Sequence, residues 1–275
     1  MTVISYYDRL KVLGRIYASL PRLPNLSLKI VTLLDPLVAT RNSEFAYLIK
    51  FLEQMKLAPK RILDVSSPFA LAYILSRRAK VIKTDIDPIE GRNISLSKNL
   101  SFRREDATSL SFPANSFDLV YSASVLEHIY GKYIGAVQEM IRVTKRGGYV
   151  YLAFSVAKKY KEEWLDFSIY AHQAKRLQTE ENFFQYRFDR RHVKEMLANL
   201  KGVEIVRREI YWERKEGAYD RHFSLHAKRF GGKVIVLLKN SFIDTFLGFN
   251  LLENRPRGFS QARSFGDCYL ILRKK

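Results

Sequence analysis

Three acidic residues are spaced through the first half of this chain, each at or near the end of a short apolar run: Asp64 in "RILDV", Asp85 or Asp87 in "VIKTDID", and Asp106 after "SFRRE". An ionised carboxylate accepts hydrogen bonds from amines and from paired hydroxyls. One acid at a strand end is ordinarily a helix cap or a turn residue. Three in series carry more weight, because a ligand of an open α/β sheet lies beyond the carboxyl ends of its strands, where the strand order reverses. The next run, "SFDLVYSAS", brings Ser122 to Ser124 and then His128 to the same end. Imidazole titrates near neutrality, so His128 is the candidate proton acceptor; the alternative is a histidine that fixes a helix start by hydrogen bonding.

The elements that must position these groups alternate between strand and helix patterns from about Arg61 to Phe154. "RILDV", "VIKTDID", "SFRRED", "SFDLVYSAS" and "GGYVYLAFSV" read as strands, and "PFALAYILSRR" and "YIGAVQEMIRVTK" as helices. That alternation predicts an α/β doubly wound, mostly parallel sheet. Later, Asp189 caps the helix "DRRHVKEMLANL", followed by the strands "VEIVRREIYWE" and "CYLILRKK". The start, "ISYYDRLKVLGRIYASL", spaces Ile4, Tyr7, Leu10, Leu13, Ile16 or Tyr17 and Leu20 as a basic amphipathic helix, which suits a cap across the domain or a membrane surface. We expect a helical cap over residues 1–57, a main domain over 58–275, and insertions at about 157–188 and 214–266. The first insertion is polar, aromatic-rich and expected to be partly helical, with Tyr170, His172, Trp164, Phe183, Phe184 and Tyr186 as candidates to face an acceptor. The second carries the apolar cluster Phe242, Ile243, Phe246, Leu247 and Phe249, which suits core burial, a dimer contact, a lipid-like ligand or a membrane dip.

The run "FRREDATSLSFPANSFDLVYSASVLEHI", followed by "AVQEMIRVTKRGGYVYLAF", closely resembles class I S-adenosylmethionine-dependent methyltransferases, especially the branch with quinone-biosynthesis and other small-molecule enzymes. The matching features are Asp106-Ala107, the turn Leu110 to Pro113, Phe117 to Val120, Glu127-His128, and Arg142 to Gly148. The resemblance implies a seven-stranded Rossmann-like sheet and S-adenosyl-L-methionine as cofactor. It also implies that Asp85 holds the ribose hydroxyls and that Asp106 holds the adenine amino group with Ala107 beside the ring. Asp64, Ser66 and Ser67 would meet the methionine part, and Ser122 would line the reactive end.

The glycines are where the chain departs from that pattern. The loop is usually acid-x-Gly-x-Gly-x-Gly, and the three positions here are Ser66, Pro68 and Ala70. Proline fixes φ near −65° and has no N–H, which excludes a left-handed turn at residue 68. "SSP" before an apolar helical run still makes a good helix start, with Ser67 as N-cap and Pro68 at the first helical position. The serines offer main-chain donors near the helix's positive end that suit a carboxylate. Phe69 is the residue expected to obstruct the site.

Composition narrows the partners. A net charge of +19 favours anionic ones, among them an anionic membrane contacted peripherally. Nucleic acid is disfavoured: the Asn/Asp-Pro-Pro-aromatic motif of many exocyclic-amine methyltransferases is replaced by "SASVLEH", and there is no attached RNA-binding module. Methyl transfer to RNA is the weakest of the readings. One cysteine, Cys268, cannot form an internal disulfide and points to a reducing cytoplasm. No signal-peptide pattern, spanning segment, metal cluster or nucleotide-triphosphate loop is expected. The leading expectation is therefore methyl transfer to a small-molecule, lipid-like or glycan-precursor acceptor. The alternative is a catalytically silent member of the fold that binds a partner or membrane as a scaffold.

Overall fold

The computed structural model describes residues 1–23, 26–34, 40–86, 98–166, 173–175, 179, 181–221 and 251–275. Asp87, Tyr170, His172 and the cluster Phe242 to Phe249 lie outside the described residues.

Strands β1 (Arg61–Val65), β2 (Lys80–Asp85), β3 (Leu100–Arg104), β4 (Phe117–Ala123), β5 (Thr144–Val156), β8 (Val203–Trp212) and β9 (Gly266–Lys274) form one seven-stranded sheet in the order β3-β2-β1-β4-β5-β9-β8. Pairing is parallel from β3 to β5, while β9 runs antiparallel to both β5 and β8. The strand order reverses between β1 and β4, so the carboxyl ends of those two strands frame the crevice where this topology places a ligand. The expected doubly wound, mostly parallel sheet is what the chain forms.

Apolar strand residues alternate between two cores. Ile62, Val81, Leu119, Tyr121, Tyr151 and Tyr269 join one cluster with helix α4 (Phe69–Ser76) and with helices α1 (Tyr6–Tyr17) and α3 (Arg41–Gln54). Leu63, Val120, Val150, Leu152 and Leu270 face the other, beneath α5 (Tyr133–Val143) and α6 (Arg190–Ala198). Asp189 caps α6 by accepting the His192 N–H at 3.0 Å, as its position in the sequence predicts. A further helix, α2 (Leu26–Leu34), packs against α1 and α4.

Two expectations are corrected. Helix α1 buries Ile16, Val12 and Leu13 but leaves Tyr7 and Leu10 exposed, because Arg9 turns inward instead, 0% exposed. The first insertion is not helical among the described residues: β6 (Lys161–Leu165) and β7 (Asn182–Arg187) pair antiparallel. "NFFQYR" is rich in aromatic residues, which favour a pleated surface, and six consecutive buried residues suit a covered strand. The hairpin is anchored by Arg187, 2% exposed, which binds Glu163 at 2.6 Å and Asp220 at 2.5 Å. Its guanidinium lies 4.9 Å from the Tyr219 ring. At the root of the second insertion, a long arm between β8 and β9, Gly266 is paired with Trp212, whose ring would lie 2.4 Å from any Cβ at residue 266.

Candidate active site

The β1–α4 loop is held by its own residues. Ser66 takes φ +56°, so the left-handed turn falls one residue after β1 and two before the proline. A serine there is strained by about 1–2 kcal/mol where glycine would not be. The Ser66 N–H donates to Thr84 O at 2.9 Å, and the Ser67 N–H to Asp64 Oδ1 at 2.8 Å. The Ser67 hydroxyl accepts the N–H of Ala123 at 2.9 Å, and the Ser122 hydroxyl donates to Val65 O at 3.1 Å. Pro68 itself is the N-cap residue and α4 starts at Phe69, without a side-chain cap. The expected Ser67 cap is absent because its hydroxyl is committed to Ala123. The same bonds occupy both loop N–H groups that were expected to meet a carboxylate.

Asp64 is fully buried beneath this loop. Its carboxylate accepts from the Tyr121 hydroxyl at 2.7 Å and lies 3.8 Å from the Lys83 ammonium, which also donates to Ser67 O. Burial pushes its pKa up to about 6, and Lys83, Tyr121 and Ser67 offset only part of that. Asp64 and Ser67 therefore set the loop's shape from inside.

The two outer acids stand differently. Asp85 ends β2, half-buried, and its carbonyl accepts the N–H of Glu105 at 3.0 Å. Asp106 is exposed and closes a turn, with Oδ1 accepting from the Thr108 N–H at 2.8 Å and hydroxyl at 2.7 Å. Ala107 follows, partly buried against the core under α5. Phe69 does not obstruct: it is buried and stacks on Tyr73 at 5.8 Å and on Phe102 of β3 at 6.1 Å. The ring is taken up by the core, which leaves the crevice to smaller groups.

His128 lies just past β4. Its Nδ1 is 2.5 Å from the Phe184 carbonyl, which fixes a hydrogen on that nitrogen. Burial lowers its pKa to about 4, so the ring is neutral and weakly basic. The contact ties the post-β4 turn to the β6–β7 hairpin. Trp164, Phe183 and Tyr186 pack with Tyr130 in one aromatic group, with Trp164 and Phe183 ring centres 5.3 Å apart.

The structure adds a group of acids beyond those singled out in the sequence. Glu44 in the first turn of α3 accepts from the Thr40 hydroxyl at 2.6 Å and the Ser124 hydroxyl at 2.7 Å. Glu127 accepts from the Ser155 hydroxyl at 3.3 Å, and Asp267 is the register partner of Ser155. All three are buried, and Glu44 Oε2, Glu127 Oε2 and Asp267 Oδ2 have no hydrogen-bond partner of good geometry among the described residues. Burial raises Glu127 to about 8, with Glu44 adding to the effect, and Asp267 is raised as well by burial, Glu44 and Glu127. The sequence signals were slight: Glu127 precedes His128, and Asp267 interrupts an apolar run. Nothing in the sequence marks Lys83, in the strand "VIKTDID", as the partner of Asp64.

Residues 65–152 match the family described as Methyltransferase domain. Over that third of the chain the sequence is similar to methyltransferase domains. Among solved structures, coclaurine N-methyltransferase bound to N-methylheliamine and SAH shares the fold at TM-score 0.53 and 13% identity, covering 98% of this chain and 88% of that one. The YcgJ protein from Bacillus subtilis does so at TM-score 0.50 and 15% identity, covering 85% of this chain and 98% of that one. No curated protein matches the sequence. S-adenosylmethionine is the cofactor this family implies, and the residues fit its adenosyl half: a carboxylate at the tip of β2, and an acid-alanine turn beyond β3 with Asp106 Oδ2 outside the turn's own bonds. No described helix is long and apolar enough to cross a membrane.

Proposed function

We propose that this methyltransferase domain transfers a methyl group from S-adenosylmethionine to a small-molecule acceptor held beyond the carboxyl ends of β4 and β5, with residues 1–57 as its helical cap. The observation that carries the reading is the placement of Asp85 and the Asp106-Ala107 turn at the tips of adjacent strands, one and two strands removed from the reversal of strand order. When bound, the cofactor supplies an activated methyl on a sulfonium, so the protein's task is chiefly alignment and exclusion of water. Asp85 accepts hydrogen bonds from the ribose hydroxyls and Asp106 from the adenine amino group. Ala107 lies beside the ring, and Ser122 with Val65 keeps the strand tips in register. Asp64, Ser66 and Ser67 fix the loop under the methionine end.

At the acceptor end, the ionised form of Glu127, whose pKa is raised to about 8, is the stronger proton acceptor than the His128 imidazole, which is lowered to about 4. His128 positions the turn. The aromatic group of Trp164, Phe183 and Tyr186 suits an apolar, lipid-like or ring-bearing small molecule.

A second reading, a domain that keeps the fold as a binding scaffold, is favoured by the committed N–H groups of Ser66 and Ser67. Calorimetric titration with S-adenosylmethionine decides between them. Micromolar binding weakened at least tenfold by Asp85→Ala supports methyl transfer. No heat at millimolar cofactor rejects it in favour of the scaffold.

A further inference from the structure

A hollow of about 490 Å³ opens at the amino ends of β1 and β2, the side of the sheet away from the crevice. β1 is five residues long, which puts the hollow roughly 16 Å from the carboxyl tips. Its size falls within the range of about 300–1,000 Å³ typical of small-molecule sites. The floor is apolar: Leu52 of α3, Leu57 of the connection to β1, and Ile74 and Leu75 of α4 are only partly buried there.

The rim is cationic. Lys56, Lys60, Arg77 and Arg78 are exposed and make no side-chain hydrogen bond or ion pair among the described residues. Glu53 is the one acid among the lining residues, and it is already held by Lys11 at 3.0 Å and Arg15 at 2.7 Å. Four like charges around wet apolar surface repel one another and gain nothing from the floor. An anion with an apolar body relieves both conditions at once.

We infer that this hollow is a second ligand site, for an amphiphilic anion carrying a single phosphate-type head on an apolar chain. The guanidinium groups of Arg77 and Arg78 take the head, since their planar donors match phosphate oxygens in pairs. The stems of Lys56 and Lys60 lie along the chain while their ammonium groups stay at the rim. Methyl transfer is not required for this site, and its occupant is distinct from the methyl acceptor.

The test is calorimetric titration of the full chain with decyl phosphate below its micelle concentration, against inorganic phosphate and decyl maltoside. Decyl phosphate is expected to bind at least about tenfold more tightly than either, because each comparator lacks one half of the recognition. Arg77→Ala/Arg78→Ala weakens that binding about tenfold or more. Arg190→Ala/Arg191→Ala, which removes the same charge from α6, leaves it unchanged. Hydrogen exchange slows over residues 52–60 and 74–79 when the ligand is added.

Four results would overturn the site: no binding by the native chain, equal affinity for inorganic phosphate, equal affinity for decyl maltoside, or an equal loss in the α6 control. Sedimentation with phosphatidylcholine vesicles containing phosphatidic acid separates two sources of the same chemistry. Cosedimentation lost in Arg77→Ala/Arg78→Ala identifies a bilayer lipid. Decyl phosphate binding without cosedimentation identifies a soluble single-chain ligand. Cofactor affinity is read separately and does not enter either outcome.

Discussion

The Ser67 hydroxyl accepts the main-chain N–H of Ala123 at 2.9 Å, joining the loop after β1 to the end of β4 where the strand order reverses. Both residues are buried. Ser67→Ala leaves that N–H without an acceptor, a loss of about 1–3 kcal/mol. Urea denaturation is expected to show a lower midpoint with an unchanged slope, and cofactor affinity should fall with it, because the loop then lacks its tie to β4.

Ser66 offers the opposite experiment. Its φ of +56° suits glycine, so Ser66→Gly removes strain of about 1–2 kcal/mol and returns some of that as unfolded-chain entropy. The net expectation is a small gain of up to about 1 kcal/mol by denaturation. A clear destabilisation would mean that the serine side chain supports the turn.

Lys83 and Asp64 form a buried pair 3.8 Å apart, and Lys83→Met strands the carboxylate. Breaking such a pair from one side costs about 3–5 kcal/mol. Asp64 has its pKa raised to about 6, so its protonated form is favoured by folding and that contribution shrinks as pH rises from 3.8 to 6. The Lys83→Met penalty is therefore expected to be larger at pH 8 than at pH 5. Asp64→Asn added to Lys83→Met should recover most of it, a coupling that a double-mutant cycle reads directly.

Glu127 makes a prediction on the alkaline side. It is raised to about 8 from an ordinary 4.5, so the native state holds a proton that the unfolded chain has released. Stability from this group is complete below pH 4.5 and declines up to about pH 8. It shares the site with Glu44 of α3, Asp267 of β9 and the Ser155 hydroxyl of β5. Glu127→Gln is expected to flatten the fall of stability between pH 5 and 8 by up to one proton, and to lower turnover at neutral pH once an acceptor is in hand.

Gly266 lies under the Trp212 ring, and Gly266→Ala would place a methyl 2.4 Å from it. Overpacking of this kind costs about 1–3 kcal/mol. The change should also appear in the near-ultraviolet circular dichroism of Trp212; an unaltered spectrum and midpoint would show that the indole moves aside freely.

Most of the sheet was legible because its strands are short apolar runs separated by helix signals: "RILDV" coincides with β1, and "SFDLVYSAS" exceeds β4 by one residue at each end. The hairpin β6–β7 was not, because "KEEWL" shows no apolar alternation and its partner strand follows only after sixteen further residues. At the site, the strand-tip acids could be read from spacing. What could not be read was direction: Asp64 turns inward while Asp106 faces out, and only packing against Tyr121 and Lys83 decides that. Glu44 and Asp267 meet across more than two hundred residues of chain, a proximity that no local pattern encodes.

Trp212 and Gly266 are register partners at the end of an antiparallel pair, so the long arm between them leaves and re-enters the sheet at neighbouring points. Closing such a loop costs little more when it is lengthened. What the arm carries can therefore be lengthened, trimmed or exchanged while the sheet stays in frame, which makes this junction the natural place to splice in a new specificity.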